Sequence, residues 1–278
     1  MKVGNLSLTS GRSETPKRFI VYGPGSVGKT TLALSAPNPM VISCEDGARE
    51  FDAPTFRFAH GGVTPRTLTE VEEALKQMLA ADLGDRKTLV VDGFHQLDHL
   101  VSEDVLKRNP KWSSIQTAGF GVGEAEVLRR WRAVVDLIEQ VNTIKQMRII
   151  MTGHSQAVKF KDPEGSEFDR YDMQVTKHPK GDVAGFLFGW ADVVGFAKFD
   201  RLTLDVGPDK RQRTVAVAQS GDRTLNLSWT NAWQAKCRIV GAPASVRLTH
   251  DDGAPKSWAE VFGGGRVAAS VAKEEVAA

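Results

Sequence analysis

The feature that most constrains this chain is a short apolar strand pattern that runs into a glycine-rich loop and then into a helix. The strand pattern is Phe19-Ile20-Val21-Tyr22, and the loop reads Gly23-Pro24-Gly25-Ser26-Val27-Gly28-Lys29-Thr30-Thr31. Together they give the G-x-x-x-x-G-K-S/T pattern in the strand–loop–helix context that it requires. Because glycine has no Cβ, the loop backbone can aim successive N–H groups at one anion, and the helix N-terminus adds partial positive charge there. The stretch therefore predicts a loop that binds the phosphates of a nucleotide.

Two side chains of the loop have the chemistry needed for a nucleoside triphosphate and Mg²⁺. Lys29 is expected to reach the β- and γ-phosphates, and the Thr30 hydroxyl is expected to bind the metal ion. Asp92 ends a second apolar strand pattern, Leu89-Val90-Val91, and its carboxylate is expected to hold Mg²⁺ opposite Thr30. The alternative for Asp92 is a carboxylate that caps the next helix. The residues thus predict an Mg²⁺-dependent nucleoside triphosphatase.

Another pair of carboxylates follows the strand pattern 40–44. Glu45 lies just past that strand, and the carboxyl ends of parallel strands gather on the ligand side of a sheet. Its carboxylate could orient and deprotonate the water that attacks the γ-phosphate. Asp46 is the adjacent candidate, and strand alternation turns the two side chains in different directions. A solvent-exposed acidic turn is the remaining interpretation.

Strand and helix patterns alternate from Phe19 to Thr152, which predicts an α/β fold with a mainly parallel sheet flanked by helices. The helix patterns cover 68–82, 95–108 and 124–145, and a short strand is predicted at 55–59. Later residues alternate as strands over 190–206, 213–218 and 224–229, with turns at 207–209 and 220–222. These predict antiparallel C-terminal strands added to the same sheet.

The chain divides into one core and two ends. We expect a core over 17–262, a flexible N-terminal segment over 1–16 and a flexible tail over 263–278. Within the core, the polar segment 155–181 has no clear periodicity, which predicts a long mobile loop. A loop of that length inside a compact domain is usually functional.

Composition argues against several classes of protein. Apolar residues make up 41% of the chain, as in an ordinary globular protein. The net charge is +2, so bulk charge argues neither for nor against a nucleic-acid partner, and any DNA-binding surface must be a local patch. The two cysteines, Cys44 and Cys237, and the six histidines show no metal-ligand spacing, so no zinc site is predicted. The polar N-terminus lacks a signal-peptide core, and the most apolar run, 183–197, is too short to span a membrane and contains Asp192. We expect an intracellular protein with no membrane partner.

The order of these motifs resembles the RecA-type recombinase core. In chain order they are the loop 23–30, the strand ending at Glu45, Asp92 after its strand, and His154 after Ile149-Ile150-Met151-Thr152. The late segment 235–243, Ala-Lys-Cys-Arg-Ile-Val-Gly-Ala-Pro, resembles the basic-x-basic element that reaches a neighbouring subunit's ATP in that family. The compact form of the chain is similar to bacteriophage RecA-like single-strand-annealing proteins. The likeness covers 17–262 and rests on motif order.

The resemblance implies roles for individual residues and a setting for the chain. Glu45 would be the catalytic base, and His154, or Gln156 beyond it, would sense the γ-phosphate. Lys236 and Arg238 would complete the ATP site of a neighbouring protomer in a homo-oligomer, either a ring or a filament. The cofactors would be ATP and Mg²⁺, and the compartment would be the cytoplasm of a bacterial host. Single-stranded DNA would be the partner, with a single-strand-binding protein as a further candidate.

Two segments, 111–123 and 155–181, occupy the places where that family binds single-stranded DNA. Cations there could meet phosphates and an aromatic ring could stack on bases. The candidates are Lys159, Phe160, Lys161, Lys177 and Lys180. From 157 to 182, however, five Lys and Arg residues face six Asp and Glu residues, so charge alone does not establish DNA binding.

Two other functions fit the phosphate-binding loop. A nucleotide or small-molecule kinase would need a lid with several arginines, and the segment 155–181 contains just Arg170. A helicase-type motor or loader subunit would bind a helicase partner. Phosphorylation of a nucleoside monophosphate would favour the first, and directional unwinding or a stoichiometric helicase complex the second.

Overall fold

The structure is a computed structural model that describes the backbone of residues 2–3, 6–7, 15–162, 165–206 and 213–262. Side chains are described for 15–162, 165–200 and 221–262. Ten of the sixteen residues of the predicted N-terminal segment, 1–16, and the whole predicted tail, 263–278, lie outside these residues.

Strands and helices alternate through the first half of the chain. The strands are β1 Lys2–Val3, β2 Leu6–Ser7, β3 Arg18–Gly23, β4 Pro39–Ser43, β5 Thr88–Asp92, β6 Arg148–Phe160, β7 Phe168–Met173, β8 Val193–Val206, β9 Arg213–Asn226, β10 Lys236–Cys237 and β11 Ser245–Arg247. The helices are α1 Lys29–Leu34, α2 Leu68–Ala80, α3 Phe94–Arg108, α4 Val122–Ile144, α5 Val183–Trp190 and α6 Trp258–Phe262. Two 3₁₀ turns occur at Asp46–Glu50 and Ile115–Ala118.

The main sheet has the order β11-β9-β8-β3-β6-β5-β4. The five strands from β8 to β4 are parallel to one another, while β9, β10 and β11 add antiparallel pairs on the C-terminal side. This is the predicted α/β fold with a mainly parallel sheet and antiparallel C-terminal strands. Because the central strands run in one direction, β3, β4 and β5 end at the same edge, and β6 passes that edge at His154. We call this the carboxyl edge.

Two apolar layers sandwich the sheet, because successive side chains of a strand point to opposite faces. In β3, Ile20 and Tyr22 belong to one layer, and Phe19 and Val21 to the other. Helices α2, α3 and α4 pack on the first face, and α1 and α6 on the second. Burial of both faces explains why these strands read as nearly continuous apolar runs.

The predicted loop over 155–181 is wrong. Strand β6 continues through Phe160 and pairs antiparallel with β7, from Ser155 opposite Met173 to Phe160 opposite Phe168. We call β6 from Ser155 onward, together with β7, the hairpin. It extends past the buried part of the sheet, so charged side chains occupy both of its faces and hide the period-2 alternation that normally marks a strand.

Three smaller predictions are also wrong. The strand predicted from 190 begins at Val193, because helix α5 continues through Trp190. Asp182 caps the start of that helix by accepting a hydrogen bond from the Gly185 N–H. The turn predicted at 220–222 lies inside β9 as an irregularity in the pairing with β8. The strand predicted at 55–59 amounts to one bridge between Val41 and Thr55.

In the part of the chain that the structure describes, no helix combines the length and apolar character needed to cross a membrane.

Candidate functional site

A cavity of ≈ 460 Å³ opens at the carboxyl edge. Its walls come from the glycine-rich loop, from the turn after β4, and from side chains of β6 and β9. The lining residues are Gly25, Ser26, Gly28, Lys29, Thr30, Thr31, Glu45, Asp46, Gly47, Phe51, His154 and Arg223. The sheet therefore brings eight of the predicted site residues, from the loop 23–31, Glu45 and His154, to one place.

The loop 23–31 follows β3 and leads directly into α1, as the motif requires. Gly28 has φ +91°, a left-handed conformation that favours glycine, and it immediately precedes the first residue of α1, Lys29. Gly23 is required for a different reason: a Cβ there would lie 2.1 Å from the carbonyl oxygen of Ala197 on β8. Val27 is fully buried and anchors the loop in the core. Gly23, Pro24, Gly25 and Ser26 complete the predicted phosphate-binding stretch.

Lys29 is buried beneath the loop. Its Nζ donates hydrogen bonds to the carbonyl oxygens of Gly23, at 3.2 Å, and Pro24, at 2.7 Å. Burial lowers the pKa of Lys29 to about 8, although Glu45 and Asp92 nearby act to raise it. A phosphate group in the cavity would add negative charge beside this buried ammonium and stabilise its protonated form.

Asp92 lies directly behind Thr30, which lines the cavity, and is itself fully buried. The Thr30 hydroxyl donates to Asp92 Oδ1 at 2.9 Å, and the Thr152 hydroxyl donates to the same oxygen. Burial raises the pKa of Asp92, while its hydrogen bonds from Thr152 and Thr30 act to lower it. A Cβ on Gly47 would lie 3.6 Å from Asp92 Oδ2 and 3.8 Å from Thr30 Oγ1, so glycine leaves space beside both oxygens. Two hard oxygen donors beside open space fit Mg²⁺.

Glu45 lies beside two imidazoles. Its Oε2 is 3.4 Å from His95 Nε2 and 3.9 Å from His154 Nε2. Burial and Asp92 raise the pKa of Glu45, and Lys29 acts to lower it. Asp46, the alternative base, also reaches the cavity wall, but its Oδ1 accepts from the Thr64 hydroxyl at 3.0 Å and pairs with Arg49 at 2.9 Å. The Glu45 carboxylate therefore faces two imidazoles, whereas the Asp46 carboxylate already has a hydroxyl and a guanidinium as partners.

His95 was not predicted as a site residue. Its ring stacks on that of His154 with centroids 4.2 Å apart, and its side chain is only 8% exposed. Burial, with His154 and Lys29, lowers the pKa of His95 to about 4, so the ring is neutral near pH 7. Ligand-type atoms of Glu45, His95 and His154 lie within 4.8 Å of one another. Zinc-site spacing patterns miss this group because its members come from three separate parts of the chain: Glu45 follows β4, His95 lies in α3 and His154 lies in β6. The signal in the sequence was a histidine three positions after Asp92.

The two candidate γ-phosphate sensors differ in position. His154 lines the cavity, and burial and Lys29 lower the pKa of its ring. The amide of Gln156 instead donates to the carbonyl oxygen of Met173 across the hairpin, at 3.2 Å. Only His154 of the pair faces the loop 23–31.

Lys236 and Arg238 lie away from this cavity. Strand β10 pairs with the start of β8, at Val193 and Val194, which is the opposite end of the parallel strands. Lys236 Nζ donates to the Gly189 carbonyl oxygen at 3.3 Å, and Arg238 pairs with Asp192 at 3.5 Å. Roughly 15 Å of strand separates Lys236 and Arg238 from the loop 23–31 of the same protomer.

The candidate DNA-contacting residues lie on or beside the hairpin. Lys159, Phe160 and Lys177 line a groove of ≈ 410 Å³ between the hairpin and α5. Lys177 pairs with Asp172, whereas Lys161 is 88% exposed and lies 3.8 Å from Glu167. Lys180 is exposed beyond β7.

Arg223, on β9, was also not predicted to belong to the site. It lines the cavity wall beside Gly28. Its sequence signal was hidden because Ser220-Gly221-Asp222 just before it was interpreted as a turn.

Comparison with protein-family models matches residues 15–239 to a family described as an AAA domain. No curated protein matches the chain. The matched region includes the loop 23–31, Glu45, Asp92, His154 and the β6–β7 hairpin, and the parallel sheet with its carboxyl-edge cavity is the core of a P-loop nucleoside triphosphatase. The chain belongs to the AAA domain family of P-loop ATPases.

Proposed function

We propose that the chain binds and hydrolyses ATP with Mg²⁺ at subunit interfaces of a homo-oligomer and uses this cycle to control single-stranded DNA during annealing. The observation that carries the ATPase part is that Lys29, Thr30 and Glu45 line one cavity, with the buried Asp92 hydrogen-bonded to Thr30 behind it. The narrower role follows the resemblance to bacteriophage single-strand-annealing recombinases and the continuity of β6 from the cavity into the hairpin.

In this proposal each cavity residue has one task. The loop N–H groups and Lys29 bind the phosphate oxygens, while Thr30 and Asp92 would hold Mg²⁺, which supplies charge neutralisation at the phosphates. Glu45 accepts a proton from water as the water oxygen bonds to the γ-phosphorus. The bond from that phosphorus to the bridging oxygen breaks, and ADP leaves with this oxygen. The raised pKa of Glu45 makes it a stronger base than an exposed carboxylate.

Strand β6 offers a direct route from ATP to DNA. His154 faces the cavity, and the same strand reaches Phe160 six residues later, roughly 20 Å away. A shift of His154 toward or away from the γ-phosphate would move the hairpin, because a paired strand transmits displacement along its length. ATP binding would then favour one arrangement of the DNA-contacting side chains.

The DNA surface consists of the hairpin and the segment before α4. Lys159 and Lys161 are exposed on the hairpin, and Phe160 pairs across it with Phe168, with ring centroids 5.3 Å apart. Phe120, in the other segment, is 92% exposed. Exposed cations with nearby aromatic rings suit the phosphates and bases of a single strand. Lys177, paired with Asp172, would contribute less than Lys159.

The kinase alternative has weaker support. Its lid would need several free arginines, and the Arg170 guanidinium lies over the Phe160 ring, 4.0 Å from the centroid, in a side chain that is almost fully buried. No observation favours the helicase-loader alternative over annealing.

An ATPase assay with and without single-stranded DNA tests the proposal. DNA is expected to increase phosphate release, ATP is expected to change DNA affinity, and complementary labelled oligonucleotides should anneal faster with protein and ATP. Lys29→Ala is the negative control in the measurements of phosphate release, DNA affinity and annealing. Hydrolysis unaffected by DNA, together with DNA binding unaffected by ATP, contradicts the proposed function while leaving the ATPase intact.

A mixing experiment tests the proposed action of Lys236 and Arg238 on a neighbouring protomer. Lys29→Ala and Lys236→Ala should each be inactive alone, whereas their mixture should regain activity, because one interface then combines an intact loop with an intact Lys236. A mixture as inactive as its components contradicts the subunit-interface site.

A further inference from the structure

Arg223 lies against the phosphate-binding loop of its own protomer. A Cβ built on Gly28 would be 3.1 Å from Arg223 Nη1, so the guanidinium lies close against the loop at this point. The same side chain lines the cavity that contains Lys29, Thr30 and Glu45. In the sheet, β9 and β4, the strand that precedes Glu45, lie on opposite sides of β3. Arg223 therefore adds a second cation, besides Lys29, on the side of the loop away from β4.

Within the described residues, Arg223 has no acidic partner for its charge. Among the side chains that the structure describes, no carboxylate pairs with Arg223, and its Nε is buried without a hydrogen-bond acceptor. Its contact with a neighbouring side chain is with the ring of Phe199, 5.6 Å from the guanidinium carbon and directly opposite on β8. A buried donor without an acceptor costs free energy, which an anionic ligand in the cavity would recover.

An irregularity in the pairing of β8 with β9 lies directly before Arg223. Phe199 pairs with Arg223 and Arg201 with Gln219, so one residue of β8 faces three of β9, residues 220–222. Such bulges redirect the side chains beside them and are common next to active sites. The hydrogen bond from the Leu248 N–H to the Arg223 carbonyl oxygen, at 2.6 Å, fixes β9 just after the bulge.

We propose that Arg223 binds the phosphate oxygens of the nucleoside triphosphate from within the same protomer. The role rests on the proposed ATPase function and adds a binding residue to it. It is distinct from the expected action of Lys236 and Arg238, which lie at the other end of the parallel strands and would act across a subunit interface. Arginine suits the task because its planar fork can bind two phosphate oxygens at once.

The test is calorimetric titration of the chain with ATP, with inorganic tripolyphosphate and with AMP, in Mg²⁺ and without DNA. Arg223→Met keeps the stem that packs on Phe199 and removes the charge. It should weaken ATP and tripolyphosphate binding by similar factors, about 10- to 100-fold. Arg223→Lys should recover part of the loss. Arg247→Met is the matched control: it removes the same charge one strand away, where the guanidinium already pairs with Asp222 and Asp251.

The stability of the unliganded protein separates a ligand contact from a structural role. Because Nε is buried without an acceptor and no described carboxylate pairs with the guanidinium, Arg223→Met should unfold at the same temperature as the unmodified chain or higher. Unchanged ATP affinity in Arg223→Met overturns the proposal, and so does a loss confined to ATP with tripolyphosphate unaffected, which would assign the contact to the nucleoside. Failure of the unmodified chain to bind either polyphosphate overturns the ATPase function as well.

Discussion

The carboxyl-edge cavity and the hairpin share one strand, β6, yet they hold their charged side chains differently. At the cavity, Lys29 is buried and donates to two loop carbonyl oxygens, and the buried Asp92 behind Thr30 accepts from two threonine hydroxyls. Glu45 lies beside two histidines. On the hairpin, Lys159 and Lys161 are exposed, and Lys177 pairs with an acidic neighbour. The first arrangement is organised before a ligand arrives, whereas the second acquires its geometry from whatever it binds.

This difference sets the size of the effects to expect. Removing a buried group that faces the reacting phosphate loses transition-state interactions that water cannot replace. Removing an exposed cation loses one of several screened contacts with a flexible polyanion. Substitutions in the cavity should therefore act on turnover by orders of magnitude, and those on the hairpin should act on DNA affinity by small factors.

The largest effect is expected for Lys29→Ala. Loss of the ammonium under the loop should reduce ATP turnover at least about 10³-fold and weaken triphosphate binding. Phosphate release and calorimetry measure the two effects, with Lys87→Ala, an exposed lysine outside the cavity, as control. Turnover within tenfold of the unmodified chain would show that the cavity is not where ATP reacts.

Glu45→Gln should separate binding from chemistry. The amide keeps the shape of the side chain but cannot accept the proton from water, so turnover should fall about 10²- to 10⁴-fold while ATP affinity stays close to normal. Asp46→Asn is the matched control, since that carboxylate already bonds Thr64 and Arg49. If Asp46→Asn loses turnover and Glu45→Gln does not, the base is Asp46.

On the hairpin, the double substitution Lys159→Ala and Lys161→Ala should weaken single-stranded DNA binding by about 10-fold and leave DNA-free ATP hydrolysis unchanged. The slope of log affinity against log salt should fall by about 1.4, because two phosphate contacts are lost. Fluorescence anisotropy at several salt concentrations measures both. The control removes two exposed charges elsewhere, Lys76→Ala with Lys87→Ala, and should change neither quantity. Equal effects of both pairs would mean that the hairpin has no special role.

The smallest effect concerns pH. Lys29 has a pKa of about 8 in the free protein, and bound triphosphate should raise it, so binding takes up a proton near and above pH 8. ATP affinity should be constant below about pH 8 and fall by up to tenfold per unit above it. Calorimetry in buffers of different ionisation enthalpy counts the protons. Lys29→Arg, which stays charged, should remove the dependence; a dependence that persists in this variant would assign it to another group.

The same contrast explains what could be predicted from sequence. The loop 23–31, Asp92 and Glu45 were predicted because each follows an apolar strand and parallel strands end together, so local patterns and one topological rule suffice. His95 and Arg223 depend on how α3 and a bulged β9 pack against the loop, and no local pattern encodes that. The hairpin was missed because both of its faces are largely polar, which removes the periodicity that identifies a strand.

In this proposal the carboxyl-edge cavity binds ATP, and β6 couples the bound nucleotide to the binding of single-stranded DNA on the hairpin. The most direct measurement is an experimental structure with a nonhydrolysable ATP analogue, Mg²⁺ and a single-stranded oligonucleotide. We expect the triphosphate against the N–H groups of the loop 23–31, with Lys29 on its β- and γ-phosphates, and the oligonucleotide against Lys159 to Lys161. An analogue bound elsewhere, or DNA held away from the hairpin, would contradict it.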